Sequence, residues 1–268
     1  ISRGAFKWRP FQLAFQLLNL NGVLAMEEGD ERRNERTEML DLAWFPTGGG
    51  KTEAYLGLIA LTSMYRRIRF PEQEAKGQSV HTIMRYTLRL LTMDQSDRLV
   101  RMVQGMNMAW ERAGEDGTFH PFTVGFWVGR KATPNKMKEA QDALLALARG
   151  DEVKEGRVIM FEACPWCGSK EMADHACWDI DESRPTFALR GRCPAEGCVF
   201  NSEAGIPFSC IDEDLYLHPP TVLLGTSDKF VQAAWNRHVK EDAGASIRRM
   251  LGYNRDGPRA PDLIIQDE

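Results

Sequence analysis

The chain has 268 residues, a formal net charge of −4 at pH 7 and 43% hydrophobic residues. That length suits one large domain or two small ones with a real buried core, and the charge excludes a chain that grips nucleic acid by being basic throughout. No apolar run approaches the roughly 18 residues of a membrane span, so no membrane association is expected.

The chain opens on Ile1-Ser2-Arg3-Gly4 and closes on Gln266-Asp267-Glu268, and reads as a fragment of a longer protein. Residues 9–20 predict an amphipathic helix. Pro10 fits its first turn, and Phe11, Ala14, Phe15 and Leu18 recur at helical spacing and should face the core. Residues 27–38 mix both signs of charge without apolar anchors and read as an exposed loop. Residues 39–45 are an apolar run with β character. They lead into Phe45-Pro46-Thr47-Gly48-Gly49-Gly50-Lys51-Thr52, and residues 53–61 read as a helix.

Strand, glycine loop, Lys-Thr and helix form the arrangement of a phosphate-binding P-loop. The glycines let backbone N–H groups approach phosphate oxygens without a Cβ in the way, and the helix N-terminus adds partial positive charge. Thr47, Gly48, Gly49, Gly50, Lys51 and Thr52 are the expected ATP-binding residues, with Lys51 on the β- and γ-phosphates and the Thr52 hydroxyl on Mg²⁺. The usual pattern opens on glycine where this chain has Phe45. A plain glycine-rich turn is the alternative, and it leaves Lys-Thr at a strand-to-helix junction unexplained.

Residues 79–86 predict a strand. The helix after it carries Leu99, Met102, Val103, Met106 and Trp110 on its inner side. His81 alternates with apolar neighbours and reads as structural. Residues 122–129 predict a further strand, and Pro134 a helix through Leu147 with Ala140, Leu144, Leu145 and Ala148 inward. Strands alternating with helices predict an α/β fold, a parallel sheet flanked by helices.

The rhythm breaks over residues 151–215, which hold all six cysteines. Cys164-Pro165-Trp166-Cys167 and Cys193-Pro194-Ala195-Glu196-Gly197-Cys198 predict a zinc-ribbon-like site of four thiolates, structural because no coordination position stays open. Cys177 and Cys210 are left over. Zinc rather than disulfides, beside an ATP site, points to the reducing cytoplasm. The span holds 6 Lys or Arg against 14 Asp or Glu, and the remainder 28 against 24. The insert is therefore a poor phosphate grip, and a protein-facing role is expected of it. The organisation expected is 1–150, an inserted 151–215, and 216–268 completing the first domain.

Residues 220–225 predict a strand, followed by Thr226-Ser227-Asp228-Lys229 and a helix. Asp262-Leu263-Ile264-Ile265-Gln266-Asp267-Glu268 is an apolar strand ending in two carboxylates, the Walker B arrangement. Asp267 would hold Mg²⁺ and Glu268 would act as base on the attacking water.

The order Gln12, residues 45–52, residues 85–95, residues 226–229 and Asp267-Glu268 resembles the first RecA-like domain of a superfamily 2 helicase. The resemblance implies that Gln12, or failing it Gln16, reads the adenine edge. It also implies that Arg85, Thr87, Arg89, Thr226 and Lys229 contact the backbone of a DNA strand. Arg9-Pro10-Phe11-Gln12-Leu13-Ala14-Phe15, Trp44–Gly57 and Leu263–Glu268 resemble the DrmA family more closely, the helicase-like components of the bacterial DISARM anti-phage system. That resemblance implies ATP-driven action on DNA and a DrmB-like partner protein. A zinc-containing repair helicase, another P-loop ATPase, or an interaction scaffold on a P-loop fold are the alternatives.

Overall fold

The computed structural model describes residues 7–25, 42, 50–74, 78–86, 93–114, 120–153, 155–235, 247–252 and 259–266. Its strands are β1 (Thr82–Tyr86), β2 (Val124–Trp127), β3 (Trp178–Ile180), β4 (Leu189–Gly191), β5 (Phe208–Ser209), β6 (Val222–Thr226) and β7 (Leu263–Gln266). Five of them form one sheet in the order β5-β2-β6-β1-β7, and every pairing in it is parallel. Ile83 lies opposite both Leu223 and Ile264, which fixes the register at the centre.

Side chains alternate across the sheet, and both faces are covered by helices, so its central strands are nearly continuously apolar. Phe126, Leu224, Met84 and Ile265 form a row across one face. Against that face pack α2 (Lys51–Arg69), through Ala54, Tyr55, Leu58 and Ile59, and α4 (Met93–Arg112), through Leu99, Val100, Val103 and Met106. A four-residue helix, α3 (Pro71–Glu74), follows α2. α5 (Met137–Ala148) begins three residues after the Pro134 expected to start it. Ala140 is buried as its spacing predicts, while Leu145 faces solvent. On the opposite sheet face lie Ile83, Leu223 and Trp127, with Leu215 of α6 (Asp212–Leu217), Phe230 of α7 (Ser227–Trp235) and Met250 of α8 (Ile247–Met250).

The first helix, α1 (Pro10–Leu24), turns only part of its expected apolar side inward, burying Phe15 but not Ala14 or Leu18. It buries Gln12, Phe15 and Val23, and Leu18 is 76% exposed. Leu13, Ala14 and Leu17 are exposed with it, and Phe11 is half-buried. The cause is the surface it meets. Gln12 donates a hydrogen bond to the carbonyl of Gly50, which caps α2, and Gln16 donates to that of Ala54, and Gly57 of α2 lets Trp8 and Gln16 come so close that a methyl group there would overlap both. Polar pairing at short range sets the rotation of this helix.

The cysteine-rich span carries the antiparallel β3-β4 hairpin. Phe161 stacks on Trp178, and both rings pack edge-on against Phe208 of β5. The Ile206 N–H donates to the Gly191 carbonyl at 2.9 Å, fastening the hairpin to the sheet edge. By Phe208 the chain is back in the main sheet, pairing with β2.

Candidate functional site

All five strands of the sheet run the same way, so their C-terminal ends share one edge. Ligands of open parallel sheets bind at that edge. α4 follows β1 and α7 follows β6 from it. Thr47, Gly48, Gly49, Thr87, Arg89, Asp267 and Glu268 lie outside the described residues, as do the charged loop over residues 27–38 and most of the strand expected over residues 39–45.

What is described is the mouth of α2. Gly50 caps the helix with φ +90°, a left-handed conformation that favours glycine. Lys51 and Thr52 then open the helix, where backbone N–H groups point outward and favour an anion. The Gln12 carboxamide is fixed at both ends. Its Nε2 donates to the Gly50 carbonyl at 2.9 Å and its Oε1 accepts the Arg9 N–H at 2.9 Å. Gln16 Nε2 donates to the Ala54 carbonyl at 2.6 Å. Two glutamines one turn apart thus meet two carbonyls one turn apart. From the other side, Arg98 of α4 pairs with Glu53 at 2.6 Å. The first turn of α2 is held between α1 and α4.

The second centre is the cysteine cluster. The sulfurs of Cys164, Cys167, Cys193 and Cys198 all lie within 4.8 Å of one another. Cys164 and Cys198 are 3.7 Å apart, and Cys167 and Cys193 3.6 Å. A tetrahedral ion with sulfur ligands at about 2.3 Å sets its ligand atoms about 3.8 Å apart, whereas a disulfide bond is about 2.0 Å. The four thiols are free and spaced to hold a metal ion. Two turns present them. The Gly168 N–H donates to the Cys164 carbonyl and the Cys164 N–H to the Ser169 carbonyl, and the Cys193 N–H donates to the Phe200 carbonyl. Burial, with the thiols around it, pushes the Cys198 thiol up to about 11, and a bound cation would reverse that preference. Cys177 and Cys210 stand apart from the cluster; Cys210 is buried against the Arg157 and Val158 carbonyls.

Three strand-contacting candidates are described, and two of them face inward. Arg85 is half-buried at the end of β1, its guanidinium 5.4 Å from the Phe230 ring. Thr226 is buried. Lys229 is only 5% exposed, and its ammonium is paired with the buried Asp212 carboxylate. Thr226 and Lys229, both expected to touch a phosphate backbone, are thus buried in this arrangement, Lys229 on Asp212. Burial raises the Asp212 pKa, and Lys229 opposes that rise. Asp212 lies 17 positions before Lys229, beyond any local spacing rule.

No protein-family model matches the chain. Over its whole length it is 36% identical, across a 293-residue alignment, to a curated relative named DISARM protein DrmA from Bacillus paralicheniformis. The chain belongs to the DrmA family. It spans about a quarter of that relative's length, 26%.

One buried cluster has no counterpart among the sequence motifs. Arg66, near the C-terminal end of α2, is fully buried and donates to Glu74, Asp262, Ser79 and the carbonyls of Val80, Ala260 and Arg259. His81 Nε2 lies 2.7 Å from the other Glu74 oxygen. Burial would lift the Glu74 carboxyl, but the His81 ring and the Arg66 guanidinium prevail and hold it down at about 2. Burial in turn lowers the His81 pKa. The cluster ties the far end of α2 to the start of β7. Among the described residues no helix is long and apolar enough to cross a membrane.

Proposed function

We propose that the chain is the nucleotide-binding part of a superfamily 2 DNA helicase or translocase that acts in DISARM defence against phage. The observation that carries this reading is the Gln12 carboxamide anchored on Gly50, beside Lys51 and Thr52 at the mouth of α2. A parallel sheet with its helices starting from one edge supports a RecA-like domain, and the DrmA relative supports the defence role.

In this reading Thr47, Gly48, Gly49 and Gly50 hold the ATP phosphates through backbone N–H groups, and Lys51 neutralises charge on them. Thr52 and Asp267 hold a magnesium ion, which stabilises negative charge on the phosphates. Glu268 orients the attacking water and takes its proton. Gln12 keeps one carboxamide N–H for the adenine edge while its other bonds fix the ring-reading plane. Arg85, Thr87 and Arg89 remain the candidate contacts to a DNA backbone. The four cysteines hold zinc as a structural ion, and a closed four-thiolate shell leaves it no catalytic position. A DrmB-like protein is the proposed partner, and the cytoplasm the proposed compartment.

The test is competition for a fluorescent ATP analogue bound to the full-length protein. ATP should displace it better than GTP, and Gln12→Ala should narrow that preference. Equal displacement by both nucleotides would count against Gln12 as the adenine reader.

A further inference from the structure

We infer that α4 links the cysteine centre to the nucleotide end of α2, with Arg98 and Arg101 as positioning residues. The inference rests on the nucleotide reading of Lys51 and Thr52. Arg98 reaches back to Glu53, which directly follows Lys51-Thr52 in the first turn of α2. Arg101 reaches forward, its Nε donating to the carbonyl of Pro165, which sits between Cys164 and Cys167. The two arginines are three residues apart and share one side of the helix. Asp97, 3.8 Å from Arg101, helps hold its guanidinium in place.

α4 can transmit a displacement because it cannot easily turn. Leu99, Val100, Val103 and Met106 are buried in the main core, which fixes its rotation. Moving a packed helix of this kind means shifting it as a body. The Pro165 carbonyl, by contrast, sits in a turn whose shape depends on the cysteines. With a metal bound, the Cys164 and Cys167 sulfurs are drawn together and the carbonyl is held against Arg101. Without one, four clustered sulfurs lose the ion that satisfies them, and the turn relaxes. Arg101 then loses its acceptor, and Arg98 loses the support that presents it to Glu53. Metal occupancy therefore favours one placement of the first turn of α2, and nucleotide bound at that turn favours metal occupancy in return. The reciprocity is thermodynamically required.

Both arginines are partly exposed, with side chains 38% and 51% accessible, so the linkage is modest and the variants keep the core intact. The experiment uses zinc-loaded full-length protein. Zinc is withdrawn by a chelator and followed with a colorimetric indicator, with and without magnesium–ADP. ADP should slow release about two- to five-fold, and the zinc affinity read from the chelator competition at equilibrium should rise by the same factor by which zinc removal weakens ADP binding. Arg98→Ala and Arg101→Ala should bind zinc and ADP but lose the difference, and Arg98→Lys should keep it. ADP that binds without changing zinc release overturns the inference and leaves the nucleotide reading standing. Failure of ADP to bind at all overturns both. A difference that survives in both alanine variants overturns the assignment to these arginines.

Discussion

Replacing Arg66 with methionine removes the guanidinium and keeps much of the apolar volume. Arg66 makes six hydrogen bonds in the interior, two of them to the carboxylates of Glu74 and Asp262 at 2.9 and 2.8 Å. Breaking a buried ion pair from one side costs about 3–5 kcal/mol. Glu74 keeps His81 and Asp262 keeps Arg259, which limits the loss. Three backbone carbonyls lose a charged donor, which adds to it. The balance is about 4 kcal/mol, a large share of the ~5–15 kcal/mol that holds a domain together. In urea this moves the unfolding midpoint of the chain down by about 1.5 M, read by tryptophan fluorescence. The acid side supplies a second reading. Glu74 falls from an ordinary 4.5 to about 2 on folding. A depressed carboxyl contributes stability that is fully present above about pH 4.5 and lost as the pH falls through about 2, worth about 3 kcal/mol. Without Arg66 the folded pKa rises, so acid unfolding begins at higher pH. A midpoint within about 0.3 M of the parent, with unchanged acid unfolding, would refute the reasoning.

Three further outcomes are expected. Chelating the metal should open the cysteine turns and remove on the order of 10 kcal/mol of binding free energy from the insert, read as loss of amide exchange protection over residues 164–200. Because the thiols must give up protons, with Cys198 at about 11 before metal binds, zinc affinity should fall as pH is lowered, and a pH-independent affinity would contradict thiolate ligation. Lys229→Met should destabilise the chain by about 3 kcal/mol by leaving Asp212 buried and unpaired, measured by urea unfolding. It should leave the salt dependence of DNA binding by the folded full-length protein unchanged; a shallower salt slope would restore Lys229 to the strand-contacting set.

Patterns of short range were readable in the chain. The apolar runs over residues 79–86, 122–129, 220–225 and 262–266 predict strands, and the structure has one within or overlapping each of them. The spacing of Cys164, Cys167, Cys193 and Cys198 gives a cluster because proline and glycine beside them make the turns. The stripe Leu99, Val103 and Met106 gives the buried side of α4. What escaped depends on partners far along the chain. The spacing of Phe11, Ala14, Phe15 and Leu18 suggested an inward apolar side of α1, but Gln12 and Gln16 find carbonyls 38 residues away, and of those four only Phe15 is buried. Lys229 stands in a polar turn that suits a phosphate contact, and only folding brings Asp212 beneath it. Arg66 belongs to no motif and lies beside Arg67 and Arg69 in the last turn of α2, yet it meets Asp262 across 196 residues. The Arg101 contact to Pro165 likewise joins a helix and a turn that share no sequence signal.

The central claim, that Lys51 and its neighbours power an ATP-driven action on DNA, is tested most directly by ATP hydrolysis. The full-length protein is assayed with and without single-stranded DNA beside a Lys51→Ala variant. The account predicts turnover that rises with DNA and disappears in Lys51→Ala. Turnover indifferent to DNA, or equal in the variant, would contradict it.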